Sequence, residues 1–596
     1  MAFASLALLL HGACATSRAL ASNRRRLCFH ARVRTGPNRR GAARSTRTCA
    51  TSRSVSVAAL PSASDPTWMG VECVRQRDRF LSCLQKKEQH SGDAVPIEAV
   101  LPAQWAAWTA RQSQAVQQWI RELGIVPKET PQTILIPDFG RHANSGQGAA
   151  RMLQKVAFVL GTAVEAASPD DPWIGNAELW WSFGALPRTL PSGMYTVSQC
   201  EFANPDQIAL AWTLGAYTFT AFQRTSKHAA ATENTDVSPA QDGPQQAAVL
   251  LVQDGDVFEK VVQTGKACFL GRDLINTPAQ NMGPEAVEKA VRELAAEYEG
   301  ARVSSIVGDD LLEENYPQIH AVGRSALGFS GRSPRLIRLE WGMDQNKDAP
   351  LVAIVGKCIT FDTGGLQIKP AASMRLMKKD MGGAAAAVAL TEMILATKLK
   401  MRVILLLPAA DNAVGPDAYR PGDVLTARNG LTTEIEHTDA EGRLVLADAL
   451  VAACEHVKPA LLIDFATLTG AQRVAMGSEI GSVFCSDPTL LDQLEKQSRI
   501  QGDYMWPLPM YTPYKGMLSS TIATMKNCAT GGLAGAITAA LYLKAFVRPD
   551  VPWMHLDING FNNTARHGRP EGGEVMGARA IFHFIEEVVV RHPKSS

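Results

Sequence analysis

Asp439, Glu441 and Arg443 occupy alternate positions in the stretch HTDAEGRL (437–444), immediately before the apolar run LVLADALVAAC. Acids at the start of a helix can do no more than satisfy free amide N–H groups and the helix dipole. The same acids beside a guanidinium could also hold a cation and an anion. Upstream, the apolar run LVAIVG (351–356) leads into KCITFDTGGLQIKPAASMRLMKKDMGGAAAAVAL, which carries Lys357, Asp362, Lys369 and Asp380. Taken singly, these read as a surface lysine, a turn residue before Gly364–Gly365, a solvated loop charge and the N-cap of a helix starting near 381–383.

Taken together they mean something else. Acids at the mouths of neighbouring buried strands converge and repel one another unless a cation compensates them. Asp362, Asp380, Asp439 and Glu441 supply four carboxylates from three loops, which suits two divalent ions about 3.5–4 Å apart with shared ligands. The chain has no H-E-x-x-H, and its twelve His are scattered without ligand spacing, which disfavours a His-based zinc site. Oxygen-rich ligation fits Mn²⁺, Mg²⁺ or Zn²⁺, and an added nitrogen tilts the choice toward Zn²⁺, Co²⁺ or Mn²⁺.

The elements that must position these residues read as α/β. Continuous apolar runs at 351–356, 401–409, 461–468 and 551–558 alternate with helical segments, the pattern of central strands covered by helices on both faces. Ahead of them, a strand at 133–138 and helices at 146–167 and 205–224 make a smaller α/β domain. The polar, aperiodic stretch TSKHAAATENTDVSPAQDGPQQ separates the two. The expected organisation is an N-terminal α/β domain over 65–224, a linker or loop over 225–249, and a larger catalytic α/β domain over 250–596 with a mixed central sheet covered by helices.

Residues 1–64 hold eleven Arg, no Lys and no acid. An Arg-, Ser- and Ala-rich, acid-free leader reads as an organellar transit peptide removed from the mature protein. Its alternative, a basic tail on nucleic acid, is the weaker reading, and the opening MAFASLALLLHGACA could add a secretory signal ahead of the transit peptide, although its start carries no basic side chain. Taking eleven Arg from a net charge of +2 leaves −9, so the remaining chain is acidic and poorly suited to nucleic acid as a main partner. No apolar run reaches the roughly 18–20 residues that cross a bilayer. The eleven Cys include no C-x-x-C pair, which implies reduced thiols, most of them core residues. An organelle is expected, a plastid ahead of a mitochondrion.

GKCITFDTGGLQIKP (356–370), KKDMGGAA (378–385) and HTDAEGRLVLADAL (437–450) resemble the signature blocks of the leucyl (cytosol) aminopeptidase family of dinuclear metallo-exopeptidases. RDLINTPAQNMGP, AVGRSA, ATLTGA and GRPEGGE are similar to its other recurring segments, in order, from about residue 250 to the C-terminus. The resemblance implies that Asp362, Asp439 and Glu441, with the Asp439 carbonyl, hold one metal, and that Lys357, Asp362, Asp380 and Glu441 hold the other. It implies two Zn²⁺ or Mn²⁺, with Co²⁺ and Mg²⁺ as further candidates. A lysine ligand must then bind as the neutral amine, which neighbouring dications make feasible.

The implied reaction is metal-assisted hydrolysis of the N-terminal peptide bond of peptides. Lys369 stays protonated to stabilise the oxyanion, and Arg443 holds a bicarbonate that shuttles protons. Met377, Thr467, Gly470 and Met576 are placed by motif in the side-chain pocket, whose composition favours Leu or Met. The family also implies a homohexamer. Two positions depart from its pattern: His437 where Asn is usual, read as orienting the Asp439 loop through an imidazole N–H, and Cys358 where Gly is usual. The rivals are a dipeptidase acting on Cys-Gly and a non-catalytic scaffold or DNA-binding use of the same fold.

Overall fold

The computed structural model describes residues 77–138, 153–161, 177–222, 248–455 and 458–591. The expected leader, most of the expected linker and the first part of the helix expected at 146–167 lie outside the described residues.

Six strands form the first sheet: β1 (Leu84–Lys86), β2 (Val95–Val100), β3 (Gln132–Pro137), β4 (Leu153–Val159), β5 (Gly193–Gln199) and β6 (Ala248–Val252), in the order β1-β6-β5-β2-β4-β3. Every neighbouring pair is parallel except β3 and β4. The second sheet uses β7 (Arg302–Val307), β8 (Arg335–Trp341), β9 (Leu351–Gly356), β10 (Cys358–Asp362), β11 (Arg402–Asn412), β12 (Leu461–Ala466), β13 (Gly481–Cys485), β14 (Met505–Pro507) and β15 (Trp553–Asp557). Its order is β14-β13-β15-β12-β9-β11-β8-β7, with β10 added to the end of β11. The middle four, β15-β12-β9-β11, run parallel, and antiparallel pairs on both sides make the sheet mixed.

All six residues of β9 and all six of β12 are buried, as strands covered on both faces must be. The principal helices are α1 (Pro205–Ala216), α2 (Gly255–Asn276), α3 (Gly382–Ala396) and α4 (Gly442–Glu455). Val352 and Ile354 join the core that contains α2 and α3, while Leu351, Ala353 and Val355 join the one that contains α4. The period-two alternation of β9 therefore separates two apolar layers. No helix among the described residues is long and apolar enough to cross a membrane.

Three sequence expectations change. The helix expected over 146–167 contains β4, paired with β2 and β3. Its VAFV run is buried on both faces, and a short apolar run has no period that separates strand from helix. The helix expected over 205–224 ends at Ala216, because Tyr217 turns extended and buries its ring, donating its hydroxyl to Asp273 Oδ1 at 2.6 Å. The boundary expected at 250 falls inside β6, whose apolar AVLLV pairs with β1 and β5. At the start of α3 the N-cap position is Met381, not Asp380, which rules out the capping alternative for that acid.

Candidate metal centre and active site

The chain ends of the parallel strands bring the predicted residues together. Lys357 follows β9 directly, its N–H donating to Phe465 O on β12 and its carbonyl accepting from Ala384 N–H on α3, both at 2.9 Å. Those two bonds lock its backbone between a strand and a helix start. Asp380 lies in the short turn Met377–Met381 that leads into α3. Asp362 ends β10, opposite Asn412 at the end of β11. Asp439 and Glu441 precede α4, so the acidic turn ahead of that helix faces the mouths of the other strands.

The lysine ammoniums sit among the acids. Lys357 Nζ is 2.7 Å from Asp380 Oδ2 and 2.9 Å from Glu441 Oε1, and it donates to Thr467 O at 3.0 Å. Lys369 Nζ lies 2.7 Å from Asp362 Oδ2 and also contacts Asp439. The Lys357 side chain is only 3% exposed against 14% for Lys369, so the first is enclosed by the cluster and the second reaches it from a loop. That loop turns at Gly364 and Gly365, with φ of +87° and +66° that side chains rarely adopt.

Four carboxylates against two ammoniums leave the cluster at −2 even with both lysines protonated. Burial raises the pKa of Asp362, Asp380, Asp439 and Glu441 alike, and for each a neighbouring carboxylate raises it further. Burial works to lower Lys357, but Asp380, Glu441 and Asp362 outweigh it and hold the ammonium above its ordinary range. One oxygen each from Asp362, Asp439 and Glu441 lie within 4.8 Å of one another, close enough for one ion to touch all three. Lys357 and Asp380 extend the donor set on the Glu441 side. These residues fit a divalent-metal centre.

Arg443, at the first turn of α4, is buried and donates from Nη1 to Asn527 O at 2.6 Å. Its Nε–H is buried without a partner among the described residues, and burial lowers its pKa. A small anion would satisfy that donor.

Several contributors were not singled out by the sequence reading. Asn412 Nδ2 donates to Asp362 Oδ1 at 2.8 Å and to Thr438 O at 3.1 Å, tying the β10 acid to the 437–441 loop. Thr438 Oγ1 donates to Gly364 O at 2.6 Å and accepts from Gln367 N–H at 3.0 Å, joining the same loop to the glycine turn. Asn527 accepts from Glu436 N–H and donates Nδ2 to His437 O at 2.7 Å. Gly442 leaves the space through which Lys357 passes: a Cβ there would lie 2.4 Å from Lys357 Cε. An Asn after an apolar run, or a Gly between two charged residues, carries no spacing that marks these roles in one sequence.

His437 orients the Asp439 loop, with the polarity opposite to the one expected: its Nδ1 accepts from Asp439 N–H at 3.1 Å. Cys358 is buried in the main core, where burial pushes its thiol up and makes it inert. Thr467 supports Asp380, donating Oγ1 to its Oδ1 at 2.9 Å. Met377 is buried in the turn that carries Asp380, and Gly470 opens the exposed start of the short helix Gly470–Met476. Met576 packs in the main core and lines a small cavity with Asp503, Asn562 and Arg579, so core packing accounts for it.

The chain is similar to known proteins over most of the described length. Residues 269–582 match the cytosol aminopeptidase family, catalytic domain, and residues 173–233 match the M17 aminopeptidase, N-terminal domain. The chain is 37% identical over 393 residues to a probable cytosol aminopeptidase of Roseiflexus castenholzii, covering 64% of this chain and 77% of that one. It is 39% identical over 387 residues to a probable cytosol aminopeptidase of Mycobacterium leprae, covering 63% and 70%. Among solved structures, the cytosol aminopeptidase of Coxiella burnetii superposes with a TM-score of 0.72 at 38% identity, over 85% of this chain and 99% of that one. The bottromycin maturation enzyme BotP in complex with Mn gives 0.67 at 27% identity, over 83% and 99%.

Proposed function

The chain belongs to the cytosol aminopeptidase family and is a metal-dependent aminopeptidase, and from that premise we propose that it releases Leu- and Met-like N-terminal residues from peptides at a two-metal centre. Asp362, Asp439 and Glu441, with the Asp439 carbonyl, would hold one ion, and Lys357, Asp362, Asp380 and Glu441 would hold the other. Zn²⁺ or Mn²⁺ suits the mixed oxygen and amine donors best. Bound ions supply Lewis acidity, a docking point for the substrate's α-amino group and a water of lowered pKa.

The protein's own groups do the rest. Lys369 keeps its proton on Nζ and offers it to the oxyanion of the tetrahedral intermediate. Its greater exposure, beside the enclosed Lys357, supports that role over ligation. Arg443, with its unpartnered buried Nε–H, would hold a bicarbonate, which would supply a proton-transfer group beside the centre. Met377, Thr467 and Gly470 line the side-chain pocket.

The observation that carries this reading is the charge imbalance of four carboxylates, three buried and Asp439 part-buried, around two lysines. Metal analysis of the purified protein beside hydrolysis of Leu-, Met-, Lys- and Asp-amides tests it. Two divalent ions per chain with Leu and Met favoured are expected. One ion, or none with activity retained, removes the dinuclear reading, and faster turnover of Cys-Gly than of Leu-amide favours the dipeptidase. The assembly follows as a homohexamer, checked by sedimentation. Residues 1–64 direct the protein to an organelle, a plastid ahead of a mitochondrion, checked by fusing them to a fluorescent reporter.

A further inference from the structure

Asp557 is a carboxylate with no exposed surface at the C-terminal end of β15, next to β12 in the parallel centre of the large sheet. Its side-chain hydrogen bonds among the described residues all go to one short segment. Oδ1 accepts from Leu468 N–H at 3.0 Å and from Thr469 N–H at 3.2 Å, and Oδ2 accepts from the Thr469 hydroxyl at 2.6 Å. Thr469 Oγ1 in turn accepts from Gln472 N–H at 3.0 Å and caps the helix Gly470–Met476. One residue earlier, Thr467 gives its carbonyl to Lys357 Nζ at 3.0 Å and its hydroxyl to Asp380 Oδ1 at 2.9 Å. A single buried carboxylate therefore fixes the segment that touches two proposed metal ligands on one side and, through Gly470, the proposed pocket on the other. Charged hydrogen bonds of this kind are about twice as strong as neutral ones. Burial raises the Asp557 pKa, while His555 and the Thr469 donors oppose that rise.

We propose that Asp557 is a positioning residue for catalysis and for N-terminal side-chain selectivity, acting through the Thr467–Gly470 segment. The proposal rests on the aminopeptidase reading above.

The test compares Asp557→Ala, Asp557→Asn, Thr469→Val and Thr469→Ser with the unaltered protein at saturating metal, on Leu-amide and Gly-amide. Asp557→Ala should lower kcat/KM on Leu-amide by about 10–100-fold, the usual range for groups that orient ligands, and narrow the Leu-over-Gly preference. Asp557→Asn should recover part of the loss, because its Oδ1 still accepts the two amides while its NH₂ cannot accept the Thr469 hydroxyl. Thr469→Val should follow Asp557→Ala, and Thr469→Ser should retain most of the activity and selectivity. A purely structural role would lower the unfolding temperature and leave the Leu/Gly ratio alone. If Asp557→Ala does not fold, the two Thr469 variants decide. Folded variants whose kcat/KM and Leu/Gly ratio stay within about twofold of the active parent overturn this assignment alone. A parent with no aminopeptidase activity overturns the reading beneath it.

Discussion

Buried charge is used in two ways in this molecule, at the seam between the N-terminal and catalytic layers and at the mouths of the large sheet. At the seam the charges close on themselves. Arg272 gives Nη2 to Glu574 at 2.9 Å and Nη1 to Leu214 O at 2.9 Å, and its guanidinium lies 5.3 Å from the Tyr217 ring centroid. Arg569 pairs with Glu178 at 2.6 Å while stacking 4.8 Å from the Trp181 ring. Each of these two guanidiniums has its own acid. At the sheet mouths, Lys357 and Lys369 face four acids and the account stays at −2. A balanced pair holds layers together, whereas an unbalanced cluster has to be completed by something bound.

The most damaging way to break the contrast is at Glu441. Glu441→Ala removes the acid that faces Lys357 and that both proposed ions share. We expect no measurable hydrolysis and a loss of bound metal, read by activity and by metal analysis of the same preparation. Near-normal turnover would mean that the acids are not the centre. Lys369→Ala should act differently, keeping fold and both ions while kcat falls by about 10²–10³, the cost of removing one oxyanion donor. Metal loss in that variant would show that the two lysines exchange roles.

The seam supplies the opposite expectation. Arg272→Met leaves Glu574 without its buried guanidinium, and breaking a buried pair from one side costs about 3–5 kcal/mol. The unfolding midpoint should fall while kcat/KM per folded molecule and metal content stay near the parent values. A loss of metal at unchanged stability would make the seam part of the site.

How much of this was legible in the sequence follows the same division. The large sheet could be read from its runs: β9 coincides with LVAIVG, and β12 and β15 lie inside the apolar stretches that announced them. The charged residues at their ends were legible because acids are costly after buried strands. The first sheet was less legible. The apolar LQKVAFV of β4 has no period that sets it apart from a helix, and β6 begins inside the polar stretch read as a linker over 225–249. The supporting residues were the least visible. Asn412, Asn527 and Gly442 act through bonds or close contacts to residues 26 to 91 positions away in the chain, and only the fold creates those neighbours.

His437 gives the smallest expected effect and the finest division between the two uses of charge. It stands two residues before a proposed ligand, yet its ring nitrogen Nδ1 is occupied by Asp439 N–H at 3.1 Å, and Asn527 brackets its backbone, accepting at its N–H and donating to its carbonyl. The side chain therefore works as an acceptor that shapes the loop. An Asn at 437 presents a carbonyl oxygen that can accept from the same N–H. His437→Asn is expected to keep both ions and to hold kcat/KM within about tenfold, the mild end of the 10–100-fold range for groups that orient ligands. His437→Leu, which removes the acceptor, should move further into that range. Loss of one ion per chain in His437→Asn would instead place the imidazole among the ligands and make the donor set of this centre richer in nitrogen than its acids imply.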